Sequence, residues 1–426
     1  MAGSLLVGLL ALLATGIPVG VGLAMVGVVV GYFTIGDSSM LGVPSSAFAG
    51  TSSFLLVAIP LFILMSEILR RAGITELLFE TMTRWVGHLP GGLAVAAVLT
   101  SALGAAITGS SVANAASMAI VAVPPMLERG YEKRFTYGLI AASGTLGIMI
   151  PPSIPILLYG EITEESIGAL FLAGVIPGLL LAAMLICYAV FVSVRGGAYE
   201  PMPKASWEER ISFTLRAAPA MVLPIVIVGG IYSGLFTPTE AAAVGCTYAL
   251  FVAIVVYRSV SLRDLARAFF DALTTSAMIL FIIAGSHVLG TVVTKLQISQ
   301  DLLAFVQEMD LQPWAFVVAT MVLLFLLGMI LEVISIIFIV LPLLHPIIVS
   351  LGLDPIWYAI VFTLNMEIAL ITPPVGMVLY VMTGILKQPV TEIIRGIIPF
   401  IFVLAACLVI LLAFPGISLW LPTALG

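Results

Sequence analysis

Two adjacent prolines interrupt an otherwise apolar run at GIMIPPSIPILLYG, Gly147 to Gly160, and the interruption recurs at IALITPPVGMVLYV, with Pro373 and Pro374. A proline inside a helix removes a backbone hydrogen bond and clashes with the preceding turn, at a cost of about 3 kcal/mol. In lipid, the freed carbonyls have no water to turn to. The surroundings are lipid-like, because 62% of the residues are hydrophobic and only 9% are charged. A soluble domain carries about 25% charged residues. The chain therefore reads as an all-α integral membrane protein with two deliberate breaks in its helices. Irregular backbone at membrane depth survives only where it is buried in protein or lines a cavity. Free carbonyls bind small cations, and helix N-termini favour anions.

A crossing helix needs about 20 apolar residues. Segments of that kind are 4–33, 52–70, 134–160, 168–194, 217–236, 238–258, 271–294, 356–382 and 396–421. The first is too long for a signal-peptide core and reads as a span. Two further stretches, 92–127 and 313–349, are interrupted near their middles by TGSSVAN (Thr108 to Asn114) and LEVIS (Leu331 to Ser335). With arms of about 16 residues, each is expected to be a re-entrant hairpin with its tip near mid-membrane. Basic loops stay in the cytoplasm. With the N-terminus inside and both hairpins in place, all of the 16 Lys and Arg except Lys295 fall inside. The outer segments GEITEES and DLLAFVQEMD are acidic. The charge pattern excludes a single crossing at either stretch, although two short spans would satisfy it equally. The C-terminus is expected on the periplasmic side.

Moving the chain 222 positions along itself places Pro151 on Pro373 and Pro152 on Pro374. It also places Pro124 on Pro346, Gly130 on Gly352, Gly174 on Gly396 and Pro177 on Pro399. Such coincidences, at residues that control backbone shape, point to duplication. The expected organisation is a first repeat over 1–195 with a hairpin at 92–127 and a broken helix at 134–160. A cytoplasmic linker and connecting span follow over 196–237. The second repeat covers 238–426, with a hairpin at 313–349 and a broken helix at 356–382. The extra span inverts the second repeat. Inverted repeats with discontinuous helices are a secondary-transporter architecture.

GLFTPTEAAAVGCTYAL (Gly234 to Leu250), GIMIPPSIPILLYG and NMEIALITPPVGMVLYV (Asn365 to Val381) together resemble the large, DctM-like membrane subunit of tripartite ATP-independent periplasmic (TRAP) transporters. The resemblance runs over essentially the whole chain. It implies an elevator-type, sodium-driven importer of organic acid anions in a bacterial inner membrane. It also implies a soluble periplasmic substrate-binding protein and a small four-helix membrane subunit as partners. The chain departs from the family pattern at the second tip. There Glu332 is followed by Val333 and Ile334, where an Asp followed by small residues is expected.

Sodium, as a hard cation, takes oxygen ligands. The first tip offers Ser110, Ser111 and Asn114, facing the backbone of Ser143 to Pro151, with Gly144 and Gly147 between. The same tip residues also suit a helix cap and close packing. The second tip offers Glu332 and Ser335, facing Asn365, Thr372 and Pro373. An ionisable group at that depth is functional by default, though a structural glutamate is the alternative. The anion is expected beside the tips, at Ser110, Asn114, Pro152, Ser153 and Pro374. Glu367 suits a proton or cation partner and a helix brace equally. Glu240 reads as a first-turn acid with Thr237 or Thr239 as cap. Glu67, Arg70 and Arg71 read as an interfacial cluster, and His88, His287, His345 and the lone Cys187, Cys246 and Cys407 as loop or packing residues.

No GxxxxGK[ST] loop occurs, so ATP drive has no support. There is no basic patch for nucleic acid, and no HExxH or nucleophile–base pair for an enzyme. The expected cargo within the family is C4-dicarboxylates; the alternatives to a binding-protein-fed importer are a stand-alone sodium/dicarboxylate symporter and an anion channel.

Overall fold

The computed structural model describes residues 8, 9, 11–13, 15–196, 199–309 and 311–425. Residues 4–7, 10 and 14 of the expected first span, 197–198 of the linker and Asp310 of the acidic outer segment lie outside the described residues. Every element among those described is helical.

The first expected span is not one helix. Thr15 and Gly16 form a turn, Pro18 precedes the new start, and a helix runs over Val19–Ile35. A second helix, Ser38–Thr51, follows and meets the next segment at a bend of 56°. The expected span 52–70 corresponds to Ala58–Arg71 with a short 3-10 turn before it. Two expected starts lie too far along the chain. The helices begin at Trp207 and Leu262 rather than at 217 and 271. Capping explains both. Ser206 accepts from the Glu209 N–H at 3.2 Å while the Glu209 carboxylate accepts from the Ser206 N–H at 2.8 Å. Ser261 and Asp264 repeat the arrangement. Such reciprocal caps satisfy two of a helix's orphan donors, so polar first turns stay helical. Thr237 and Glu240 cap Pro238–Phe251 in the same way, which gives Glu240 the structural role expected of it. The segment DLLAFVQEMD is also no loop, since Ile298–Glu308 is a helix.

Both Pro-Pro stretches break their helices. The first runs Lys133–Thr145, a 3-10 turn at Leu146–Ile148, then Ile154–Thr163. The second runs Pro355–Leu370, then Met377–Leu386. The first interrupted stretch has arms Gly92–Thr108 and Ser111–Val121. The second has Pro313–Gly328 and Val333–Ser350. The last of these is 18 residues and long and apolar enough to cross a membrane, exceeding the arm length expected for it. Among the described residues there are six such helices, or seven counting the bent pair, and the chain is membrane-embedded.

The elements form two groups. Leu262–Lys295 packs on Val19–Ile35, Ser38–Thr51 and Ala58–Arg71, and the last of these packs on Pro238–Phe251. The hairpin arms and broken helices pack among themselves and against Ile167–Gly196 and Val390–Ala413. Within this second group the contacts come in exchanged pairs. Ile154–Thr163 packs on Val333–Ser350, and Met377–Leu386 packs on Ser111–Val121. Val390–Ala413 packs on Lys133–Thr145, and Ile167–Gly196 packs on Pro355–Leu370.

Candidate functional site

Glycine lets the first tip press onto the first break. Gly109 ends the first arm in the left-handed region, φ 59°. A Cβ there would stand 2.7 Å from the Pro152 carbonyl oxygen. On the facing strand of backbone, a Cβ on Gly144 would stand 2.7 Å from the Ala115 Cα, and one on Gly147 2.6 Å from the Ser111 nitrogen. Contacts that short admit no side chain without movement of backbone.

Side chains then lock the contact. Ser111 Oγ donates to the Thr145 carbonyl at 2.8 Å. Asn114 Nδ2 donates to the Ser101 carbonyl at 3.0 Å and to the Gly144 carbonyl at 3.2 Å. Ser110 caps the second arm, its Oγ accepting from the Ala113 N–H at 3.4 Å. Ser153 caps Ile154–Thr163, accepting from the Ile156 N–H at 3.5 Å. Pro151, Pro152 and Ser153 are all buried.

The second tip is closed differently. The N–H groups of Val375 and Gly376 both donate to the Met329 carbonyl, at 3.2 and 3.3 Å. Asn365 Nδ2 donates to the Met321 carbonyl on the first arm at 2.9 Å, and Thr372 Oγ1 donates back to the Ile368 carbonyl at 2.6 Å. Glu332 starts the second arm without capping it through its side chain. Ser335 Oγ is fully buried and has no hydrogen-bond partner. Pro373 is half-buried and Pro374 exposed.

Both tips reach a single cavity of about 390 Å³. Ser110, Ser111 and Glu332 line it, with Thr108 and Gly109 from the first tip and Leu370 and Met377 from the edges of the second break. Among the described residues, Asn114, Gly144, Gly147, Pro151, Pro152, Ser153, Ser335, Asn365, Thr372, Pro373 and Pro374 do not line it. They sit behind or beside the tips. The opposite wall belongs to the other helix group, with Ile63, Ser66, Glu67 and Arg70 on one helix and Thr275, Met278 and Ile279 on another. Sequence reasoning put Glu67 and Arg70 at the membrane interface and missed this. Lining depends on how the two groups meet, and no local pattern in the sequence carries that.

The residues at the tips fit a hard cation. The first tip presents the Ser110 and Ser111 hydroxyls, and the break behind it the Gly144 and Thr145 carbonyls, each already accepting one bond from the tip. The second presents a carboxylate in no salt bridge among the described residues, next to the orphaned Ser335 hydroxyl. Buried polar atoms are nearly always partnered, so an orphan of this kind calls for an explanation. Glu367 stands apart from both tips. It is fully buried, its Oε2 accepts from Thr145 Oγ1 at 3.4 Å, and its Oε1 has no partner. The contact matches the brace, one of the two roles the sequence left open, although Thr145 Oγ1 also donates to the Ala142 carbonyl at 2.8 Å, and it joins positions 222 apart. His287 packs its ring on Gly50. Among the described residues there is no cluster of three or more His, Cys, Asp or Glu suited to a metal ion.

Residues 6–417 match the family described as "Tripartite ATP-independent periplasmic transporter, DctM component". The chain is 39% identical to the C4-dicarboxylate TRAP transporter large permease protein DctM of Pseudomonas aeruginosa, covering 89% of this chain and 88% of that one. It is 34% identical to the sialic acid TRAP transporter large permease protein SiaM of Vibrio cholerae, covering 99% and 98%. In fold it is similar to the YdaH transporter of Alcanivorax borkumensis, with a TM-score of 0.66 at 13% identity, covering 91% and 90%.

Proposed function

This chain belongs to the DctM family of TRAP transporters, a transport subunit and not an enzyme, and from that premise we propose that it carries organic acid anions inward in symport with Na+. The observation that carries the reading is the single cavity walled by both hairpin tips and by the opposite helix group. A site placed between two helix groups is reached from alternate sides when one group slides past the other. An elevator motion of the hairpins and broken helices against the remaining helices would do this.

The inverted repeat supports the same reading. A two-fold relation requires that if one element touches another, their equivalents touch in exchange. Both exchanged helix pairs obey that rule at an offset of 222 residues, and Thr145 meets its own equivalent, Glu367, at that offset.

Ser110, Ser111 and Asn114 with the backbone at Gly144, Gly147 and Pro151 would hold one Na+. Glu332, Ser335, Asn365, Thr372 and Pro373 would frame a second. Bound Na+ would offset the Glu332 charge beside an anionic cargo. This chain's own residues hold each tip against its break, and so shape the cavity wall that the anion meets. Of the residues expected beside the anion, Ser110 is the one on that wall. C4-dicarboxylates are the favoured cargo; other relatives are named for sialic acid, 2,3-diketo-L-gulonate, isethionate and ectoine. A periplasmic binding protein would deliver the anion, and a small four-helix subunit would complete the membrane complex. The proposed placement is the bacterial inner membrane, with the N-terminus cytoplasmic and the C-terminus periplasmic.

The test is uptake by the reconstituted complex from a panel of anions, with and without an inward sodium gradient. Accumulation that persists at full rate without sodium would reject symport. Flux that follows voltage alone would point to a channel.

A further inference from the structure

Three charged side chains reach the cavity between the tips: Glu67, Arg70 and Glu332. Arg70 is the sole cation on its wall among the described residues. Its ion pair is local. Arg70 Nη2 donates to Glu67 Oε2 at 2.6 Å, three residues back on the same helix. A pair of that spacing joins no two elements. The tertiary link is made next door, where the Arg71 guanidinium pairs with Asp271 on Leu262–Lys295. Arg71 also reaches Glu67, at 3.7 Å. Glu67 is thus shared between two guanidinium groups, and Arg70, with 39% of its side chain exposed, can leave it while Arg71 keeps the helices together.

Building on the proposed function, we infer that Arg70 receives the carboxylate of the transported anion, exchanging Glu67 for it. The remaining wall leaves few alternatives. It is largely apolar, with Ile63, Ile120, Ile148 and Ile279 contributing. A carboxylate stripped of water in such surroundings needs a charge partner. The planar guanidinium fork matches a carboxylate with two parallel hydrogen bonds. Glu332, on the hairpin side of the cavity, repels an anion, which favours the Arg70 side for the carboxylate. The hydroxyls of Ser110 and Thr275 then remain for the rest of the cargo.

The test uses the purified complex of this chain with its small membrane subunit, without the binding protein, so that delivery does not enter. In sodium buffer, thermal stabilisation is titrated with succinate, malate, pyruvate and N-acetylneuraminate. Whichever anion protects the wild type is carried forward. Arg70→Ala should need roughly tenfold to a hundredfold more anion for half-maximal protection, the range of a lost charge-assisted hydrogen bond. Arg70→Lys should fall between that variant and the wild type. Glu67→Gln should need less anion than the wild type, because the competitor for Arg70 has lost its charge. Protection by sodium alone should not change in any of the three. The inference is overturned if Arg70→Ala keeps its anion midpoint within about threefold of wild type. It is equally overturned if Arg70→Ala loses sodium protection in parallel, which marks a brace. Wild type protected by sodium but by no carboxylate rejects the anion reading itself, and that failure is distinguishable because it precedes any substitution.

Discussion

The two breaks carry the same Pro-Pro signature, yet the chain closes them in opposite ways. At the first, Gly144 and Gly147 lie on the broken helix and the hairpin packs into the space they leave. At the second, the equivalent positions are Met366 and Ala369, and the glycine is on the hairpin instead. A Cβ on Gly328 would stand 2.7 Å from the Ala369 Cβ and 3.2 Å from the Met366 sulfur. The first contact is locked by Ser111 and Asn114, whose equivalents Val333 and Ile336 have no side-chain donors. The second is joined through the Met329 carbonyl. Prolines 151 and 152 are buried, while Pro374 is exposed. Close approach of tip to break is thus common to both, but one contact is a packed joint bonded by tip side chains and the other a backbone clasp open at one edge, with the Asn365–Met321 side-chain bond farther back on the first arm. The first should respond to substitution with its stability, the second with its ion affinity.

The largest expected effect tests the packed joint. Gly147→Ala forces a methyl group into backbone and should cost about 3 kcal/mol, the upper range for overpacking. The equivalent change in reverse, Ala369→Gly, should cost only about 1 kcal/mol, from added chain freedom. Thermal unfolding of both purified variants decides it, and equal losses would break the comparison. Asn114→Ala comes next. It leaves the Ser101 and Gly144 carbonyls without their amide donor in a buried site, a loss of about 2 kcal/mol. A variant with wild-type stability would show that Asn114 is held for an ion rather than for the joint.

Much of this was legible in the sequence, and what was not has a common cause. Proline and glycine act through the backbone at their own position, so the breaks and the turn at Gly109 could be read directly. So could the matched left-handed turns at Gly130 and Gly352, φ 84° and 70°. Hydropathy failed where polar residues form helix. The Ser206–Glu209 cap extends its helix ten residues before the apolar run becomes continuous, from Trp207 where 217 was expected. Ile298–Glu308 buries Ile298 and Val306 and exposes its acids, so a hydropathy window averages it into a loop. The roles of Asn114, which bonds to Ser101 and Gly144, and of Arg70, on the cavity wall, arise only when distant segments meet. Residue type suggests that such groups matter; spacing along the chain does not say to what.

Glu332→Gln probes the clasp. The side chain caps nothing and joins no salt bridge among the described residues, so stability should stay within about 0.5 kcal/mol of wild type. The sodium concentration for half-maximal uptake should rise at least about tenfold, since a full charge at the second site is gone. Unchanged sodium dependence would remove Glu332 from the site and leave the second tip with only neutral groups, Ser335, Asn365 and Thr372, beside the backbone.

Thr372→Val should have the smallest effect and sharpens the comparison furthest. The hydroxyl proton is already used, donated at 2.6 Å to the Ile368 carbonyl in the last turn of the preceding helix. Such back-bonds add little to stability and tend to bend a helix. The oxygen lone pairs remain, at the last residue before Pro373. Valine keeps the branched shape and removes only those lone pairs and the back-bond. Stability should therefore move by no more than about 0.5 kcal/mol. If the hydroxyl is one ligand among several, half-saturating sodium should rise about threefold, less than for Glu332→Gln because no charge is lost. A stability loss well beyond that range would mean that the back-bond holds the break in shape, making the second joint side-chain-bonded like the first. A silent variant would remove Thr372 from the second site and leave it to Glu332, Ser335, Asn365 and the backbone. The position 222 residues earlier, Ile150, offers no hydroxyl at all, so either result fixes how far the two breaks differ at the residue that precedes each Pro-Pro pair.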